Sequence, residues 1–137
     1  MVTNRYLEYA DLPLLKESLE KDEHHKNTPV EFFYELNTVA SVYEDEDGIV
    51  LFVRGEALLI ENYKVLKLDI QFVDNNNARR NMRCMLEGFP ILAEKAKQNG
   101  FEIVVFFSDV DILKRFCKKH LGFEEAEGIY NWLLKVV

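Results

Sequence analysis

The chain has 137 residues, 48% of them apolar and 30% charged, with a net charge of −7, the size and composition of one soluble domain able to bury a core. The acidic balance argues against general binding to nucleic acid or to an acidic membrane surface, and no apolar run approaches the length of a membrane span. Cys84 and Cys117 show neither metal-ligand spacing nor a disulfide framework, and no signal-peptide core follows Met1, so a cytoplasmic protein without metal or disulfide is expected.

Residues 4–9 suit a short edge strand. Asp11-Leu12-Pro13 is a helix start, with Asp11 as cap and Pro13 in the first turn. Leu12, Leu15 and Leu19 then recur at helical spacing to about Lys21. Residues 22–28 form a polar connector containing His24-His25. Adjacent histidines point apart and have no third ligand at a recognisable spacing, so a metal is not expected there. Residues 30–36 suit a short helix carrying Phe32, Phe33 and Leu36.

Residues 39–43 read as a strand, 44–48 as an acidic turn ending at Gly48, and 49–53 as the next strand, with Gly55 marking a bulge or bend before 57–60. These segments suit an antiparallel meander. Residues 64–73 then alternate: Val65, Lys67, Asp69, Gln71 and Val73 on one face, Leu66, Leu68, Ile70 and Phe72 on the other. After the run Asn75-Asn76-Asn77, a helix carries the apolar stripe Met82, Met85, Leu86, Phe89, Leu92, Ala93 and Ala96. Pro90 should kink or interrupt it, and Gly100 should stop it. Residues 103–107 form an apolar run expected of a strand buried on both faces. A helix with Ile112, Leu113 and Phe116 follows, ending at Leu121-Gly122-Phe123. Residues 124–127, turned at Gly128, should pair with 129–137, where Tyr130 and Trp132 alternate as core or interface residues. The unit from 64 to 123 is strand, helix, strand, helix, and a right-handed crossover makes 64–73 and 102–107 parallel neighbours.

Arg79, Arg80 and Arg83 crowd the start of the helix that follows the asparagines. Cations there oppose the helix dipole at a cost of up to about 1 kcal/mol each, so an acidic chain that gathers them is either holding an anion or pairing them with carboxylates such as Asp74 and Glu87. Cys117, beside Phe116, reads either as a small core residue or as a thiol acid or nucleophile. His120 lies near a helix C-terminus, where cations are favoured.

The element order, together with Phe72-Val73, the loop carrying Arg80, residues 93–100 ahead of an apolar strand, and Leu121-Gly122-Phe123, resembles the GNAT N-acetyltransferase family. The resemblance implies an α+β fold: a single GNAT-like domain over residues 1–137, with a mixed central sheet and flanking helices. It implies an acetyl-CoA-dependent N-acyltransferase whose ligand is a CoA-type small molecule or another anion and whose acceptor amine is unspecified. Neither nucleic acid nor membrane is a partner in this reading, and a homodimer stays open. The family motif is roughly Arg-x-x-Gly-x-Gly/Ala, whose small residues let backbone N–H groups approach a pyrophosphate. Carried onto Arg80 it covers Arg80-Asn81-Met82-Arg83-Cys84-Met85, so Phe72, Val73, Arg79, Arg80, Asn81, Met82, Arg83 and Cys84 are the implied cofactor-binding residues. Arg83 and Met85 stand where the family has small residues. Asp69 is the implied general base, with Glu56 and Glu61 behind it. The family Tyr that protonates the departing thiolate is absent, its region reading Phe116-Cys117-Lys118, and Asp109-Val110-Asp111 replaces a common Asn. A non-catalytic GNAT-like binding, regulatory or assembly protein, of the kind found among phage virion proteins, is therefore the alternative.

Overall fold

The computed structural model describes residues 1–126 and 133–137. Its strands are β1 (Thr3–Tyr6), β2 (Thr38–Asp45), β3 (Gly48–Ile60), β4 (Tyr63–Phe72), β5 (Ile103–Phe106), β6 (Glu124–Glu125) and β7 (Leu133–Val136); its helices are α1 (Leu12–Lys21), α2 (Ala78–Gln98) and α3 (Asp111–His120), with 3-10 turns at Tyr9–Asp11 and Val30–Tyr34. The strands form one mixed sheet in the order β1-β2-β3-β4-β5-β7-β6. β1 to β4 are an antiparallel meander, β5 is parallel to β4, and β7 is antiparallel to β5. The expected parallel neighbours are thus joined by α2. β6 and β7 pair as expected, while the turn at Gly128, Tyr130 and Trp132 lie outside the described residues.

Alternation along β4 sorts the core into two layers. Leu66, Leu68, Ile70 and Phe72 pack with Cys84, Met85 and Ala96 of α2 and Cys117 of α3. On the other face Leu15 and Leu19 of α1 and Phe33 of the second 3-10 turn cover Val42 and Phe52. Burying each such Leu or Phe contributes about 1.5–3 kcal/mol. Within α2, Gly88 is buried, and a Cβ there would stand 2.8 Å from the Tyr43 ring. The stripe is therefore rotated from the expected one: Cys84 and Gly88 face the sheet and Leu86 is exposed.

Several local expectations are corrected. Asp11 does not cap α1; its carboxylate accepts from Arg5 Nη1 and Nη2 at 2.7 and 2.8 Å and from the Glu8 N–H at 2.8 Å, so a strand–helix ion pair has displaced the cap. Gly55 makes no bulge: β3 runs unbroken through it, paired regularly with Leu68 of β4. It is small because a Cβ would meet Leu66 Cδ1 at 2.9 Å. The register shift lies instead at Tyr43/Glu44 of β2. α2 continues through Pro90 without interruption.

At the β2–β3 turn Gly48 has φ +114° with open space around it, so an added methyl group meets no atom and acts only through the backbone. Gly48→Ala is expected to cost about 1–2 kcal/mol, more than twice the loss from Asp47→Ala beside it, measured as urea unfolding free energies.

Candidate functional site

β4 and β5 pair over only four positions, Val65 with Ile103 through Leu68 with Phe106. β5 then ends, while β4 continues through residues 69–72. Hydrogen-bond parity says where the freed groups point. The Lys64 carbonyl accepts from the Glu102 N–H at 2.8 Å on the β5 side, and the Val73 N–H donates to the Val50 carbonyl at 2.9 Å on the β3 side. Backbone groups alternate in direction along a strand, so those of Ile70 and Phe72 face the gap left by β5. Two N–H donors on rigid backbone, aimed into a gap between strands, can polarise a carbonyl oxygen.

α2 begins just past the end of this gap. Asn77 is its N-cap, the side chain accepting from the Arg80 N–H at 3.3 Å. The first N–H groups of any helix lack an intrahelical acceptor, which leaves those of Ala78 and Arg79 as anion donors. Asn81 is buried and its Nδ2 donates to the Asp74 carbonyl at 2.9 Å, so it fastens the loop to the helix. Beside this helix end a groove of about 510 Å³ runs between α2 and α3, lined by Ala78, Arg79, Met82, Arg83, Leu86, Ile112 and Phe116. Its size suits a cofactor segment.

The three arginines have separate fates. Arg80 binds Asp45 through Nε and Nη2 at 2.7 and 2.8 Å, with a further bond from Nη2 to the Gly48 carbonyl at 3.2 Å. The Asp45 side chain is 2% exposed, and the Arg80 guanidinium holds its carboxyl well below the usual range. Arg80 is thus a half-buried cross-link from α2 to the β2–β3 turn, and its guanidinium is occupied by Asp45. Arg83 reaches the same turn, 3.3 Å from Glu46 and 3.7 Å from Asp45, and lies 3.9 Å from Glu87. Arg79 is exposed and has no partner among the described residues, so it is the arginine available to a ligand.

The remaining expected site residues divide in the same way. Phe72 packs with the α2 layer and Val73 with the α1 layer. Met82 lines the groove. Cys84 and Cys117 are free and fully buried, and burial pushes each thiol up to about 12. Both are core residues, which removes the acid or nucleophile reading of Cys117. Asp69 accepts from Nη1 of the buried Arg54 at 3.2 Å. Arg54 also donates from Nε to the Phe32 carbonyl at 2.6 Å, pairs with Glu56 at 3.4 Å and Glu35 at 3.7 Å, and lies 3.7 Å above the Phe32 ring. Asp69 is therefore first a partner of Arg54. The sequence reading missed Arg54, Asp45 and Gln71. Gln71, wholly buried on β4, was read only as one of the polar residues on that strand's alternating face, with nothing to show that it is buried. Among the described residues no group of three or more His, Cys, Asp and Glu could hold a metal, and no helix is long and apolar enough to cross a membrane.

No family model matches the sequence, and no curated protein matches it. Solved structures do. An N-acetyltransferase from Staphylococcus aureus Mu50 is 16% identical, covering 99% of this chain and 97% of its own at a TM-score of 0.68. The aminoglycoside acetyltransferase AAC(6')-Ib in complex with coenzyme A is 11% identical, covering 99% and 95% at 0.75, and the same enzyme with ribostamycin and coenzyme A is 10% identical, covering 98% and 93% at 0.76. The chain therefore has the α+β fold of the GNAT N-acetyltransferases.

The Asp45–Arg80 pair has a pH signature. Asp45 titrates lower when folded than its ordinary 3.8, so its contribution is complete above that value and is lost as acid protonates it in the folded state. Arg80→Ala is expected to cost about 2–3 kcal/mol near neutrality, somewhat below the roughly 3–5 kcal/mol for orphaning a fully buried charge, because Arg80 is itself partly exposed. It should also flatten the fall in stability of the wild type below about pH 4, read from urea unfolding across that range.

Proposed function

We propose that this chain is an acyl-CoA-dependent N-acyltransferase acting on a cationic amine. The observation that carries this reading is the overrun of β4 past β5, which leaves the Ile70 and Phe72 N–H groups as a preorganised pair of donors beside a helix N-terminus. The groove between α2 and α3 fits a CoA: its lining is mainly apolar, and the Ala78 and Arg79 amides and the Arg79 side chain stand at its end for a diphosphate. Bound there, acetyl-CoA would supply an acyl group activated as a thioester. The backbone donors of β4 would hold the carbonyl oxygen as negative charge develops on it during direct attack by the amine. On the α1 side of β4, Glu35, Glu56 and Asp69 surround Arg54 and Lys67 lies opposite Glu56 on the same face, so three carboxylates stand against two cations, a balance that favours an amine over an anionic acceptor.

A second reading, CoA binding without turnover, has its own support. The helix that would carry the thiolate's proton donor offers Phe116 and a buried Cys117, and Arg83 and Met85 replace small residues.

Calorimetric titration with acetyl-CoA separates these readings. The acyltransferase reading expects a Kd of about 1–100 μM, weakened about five- to tenfold by Arg79→Ala, the loss of one exposed charge-assisted contact. Release of CoA thiol in the presence of primary amines should accompany it. Binding with no thiol release on any amine favours the second reading. No binding by the wild type but binding by Arg83→Gly would show that the Arg83 side chain closes the site.

A further inference from the structure

Gln71 has no solvent exposure, and its amide is oriented by its surroundings. Nε2 lies 2.9 Å from the Phe72 carbonyl, 3.1 Å from Asp22 Oδ2 and 3.3 Å from the Ser18 carbonyl. Three acceptors demand the NH2 end, so Oε1 faces the other way. There it meets His25 Nδ1 at 2.6 Å. An amide oxygen has no proton to give, so Nδ1 is the protonated nitrogen. Asp22 Oδ2, 3.4 Å from the same Nδ1, is a second acceptor for that proton. In the neutral ring Nε2 therefore carries the lone pair, and the side chain is 41% exposed.

The connector that carries His25 is pinned. The His24 N–H donates to Asp22 Oδ1 at 2.9 Å, the His25 N–H to the Asp22 carbonyl at 3.0 Å, and the Thr28 N–H to the His25 carbonyl at 2.9 Å. Its place follows from Gln71. The Phe72 carbonyl is one of the groups that β4 turns toward the gap, and Gln71 binds it. The imidazole is thus tied through that one amide to the Phe72 carbonyl, on the α1 face of β4, the face that also bears Asp69. Asp22 is the charged partner of His25 among the described residues; from β4 the neutral Gln71 touches the ring, while the charged Asp69 and Lys67 share its face of the strand.

The geometry points to His25 as the general base for the attacking amine, through Nε2, with Gln71 and Asp22 as positioning residues that fix its tautomer. This rests on the acyltransfer reading above. The acceptor's ammonium gives one proton to Nε2, the amine nitrogen bonds to the thioester carbon, and the C–S bond breaks with its electron pair leaving on sulfur. The second N–H proton passes to sulfur, and the proton on Nε2 returns to solvent. A primary amine, a thioester and no other reactant balance the step.

Two measurements test it. Long-range proton–nitrogen correlation spectra of 15N-labelled protein at about pH 8, with His25 assigned by its loss in His25→Gln, should show the Nδ1–H tautomer; an Nε2–H tautomer or an even mixture overturns the proposal. CoA thiol release from acetyl-CoA is then followed with spermidine, ribostamycin and lysine methyl ester as acceptors. His25→Gln should lower kcat about 100-fold and remove the acid limb of the pH profile, while acetyl-CoA affinity stays within about twofold. Retention of rate and limb overturns the base role. A wild type that binds acetyl-CoA but transfers to none of the amines overturns it too, while leaving the cofactor groove standing. A wild type that does not bind acetyl-CoA overturns the acyltransfer reading and the base role together, whatever the tautomer.

Discussion

The short ladder between β4 and β5 is the constraint on which the rest of this molecule turns. A strand inside a sheet normally spends its backbone groups on both neighbours, because a buried unpaired N–H or C=O costs free energy comparable to a lost hydrogen bond. Here a ten-residue strand is flanked on one side by a four-residue one. α2 must leave from the far end of β4 and return to the near end of β5, so its N-terminus is set close to the groups that β5 leaves unpaired. A donor pair, a helix dipole and an inter-helix groove are brought together by one mismatch in strand length.

Charge is arranged around that mismatch from a distance. Asp45 and Arg80 are 35 positions apart in sequence and share a bidentate pair at the edge of the sheet. The acidic β2–β3 turn thereby takes up most of the positive charge gathered at the start of α2: all of Arg80, and part of Arg83 through Glu46. What remains for an incoming anion is backbone dipole and Arg79. The pairing also anchors the turn at Gly48, so the hairpin and the helix end move as one body. On the opposite face Arg54 plays the converse part, a buried cation that keeps three carboxylates close together.

Much of this architecture was legible in the residues. Period-two alternation in β4 placed Gln71 and Val73 opposite Leu68 and Phe72, and the sheet obeys it. The apolar run of β5 announced burial on both faces. What could not be read was any interaction whose partners are set by register. Nothing local to Arg80 names Asp45, and nothing local to Asp11 names Arg5 as the competitor that takes its carboxylate from the helix end. Gly55 read as a bend because glycine has two uses in a strand, freedom of φ and absence of a Cβ; which applies depends on the neighbouring strand, here Leu66. His24-His25 read as a loose polar pair. Only the structure shows Asp22 folding that connector back onto the amide of Gln71, a residue that the alternation of β4 placed on the same face as Lys67 and Asp69 without marking it as buried.

The two buried thiols have a practical consequence for the kinetics of this chain. With Cys84 on α2 and Cys117 on α3 both pushed up by burial, little of either thiol is ionised at pH 8, and the thiolate is the reactive form. A disulfide reagent added to the folded protein thus reads sulfur released from a substrate with almost no background from the enzyme. In the absence of substrate the same reagent becomes a clock for the fold: each thiol reacts only when its helix lifts from the sheet, so the labelling rates of Cys84 and Cys117 separately time the opening of the two walls of the groove.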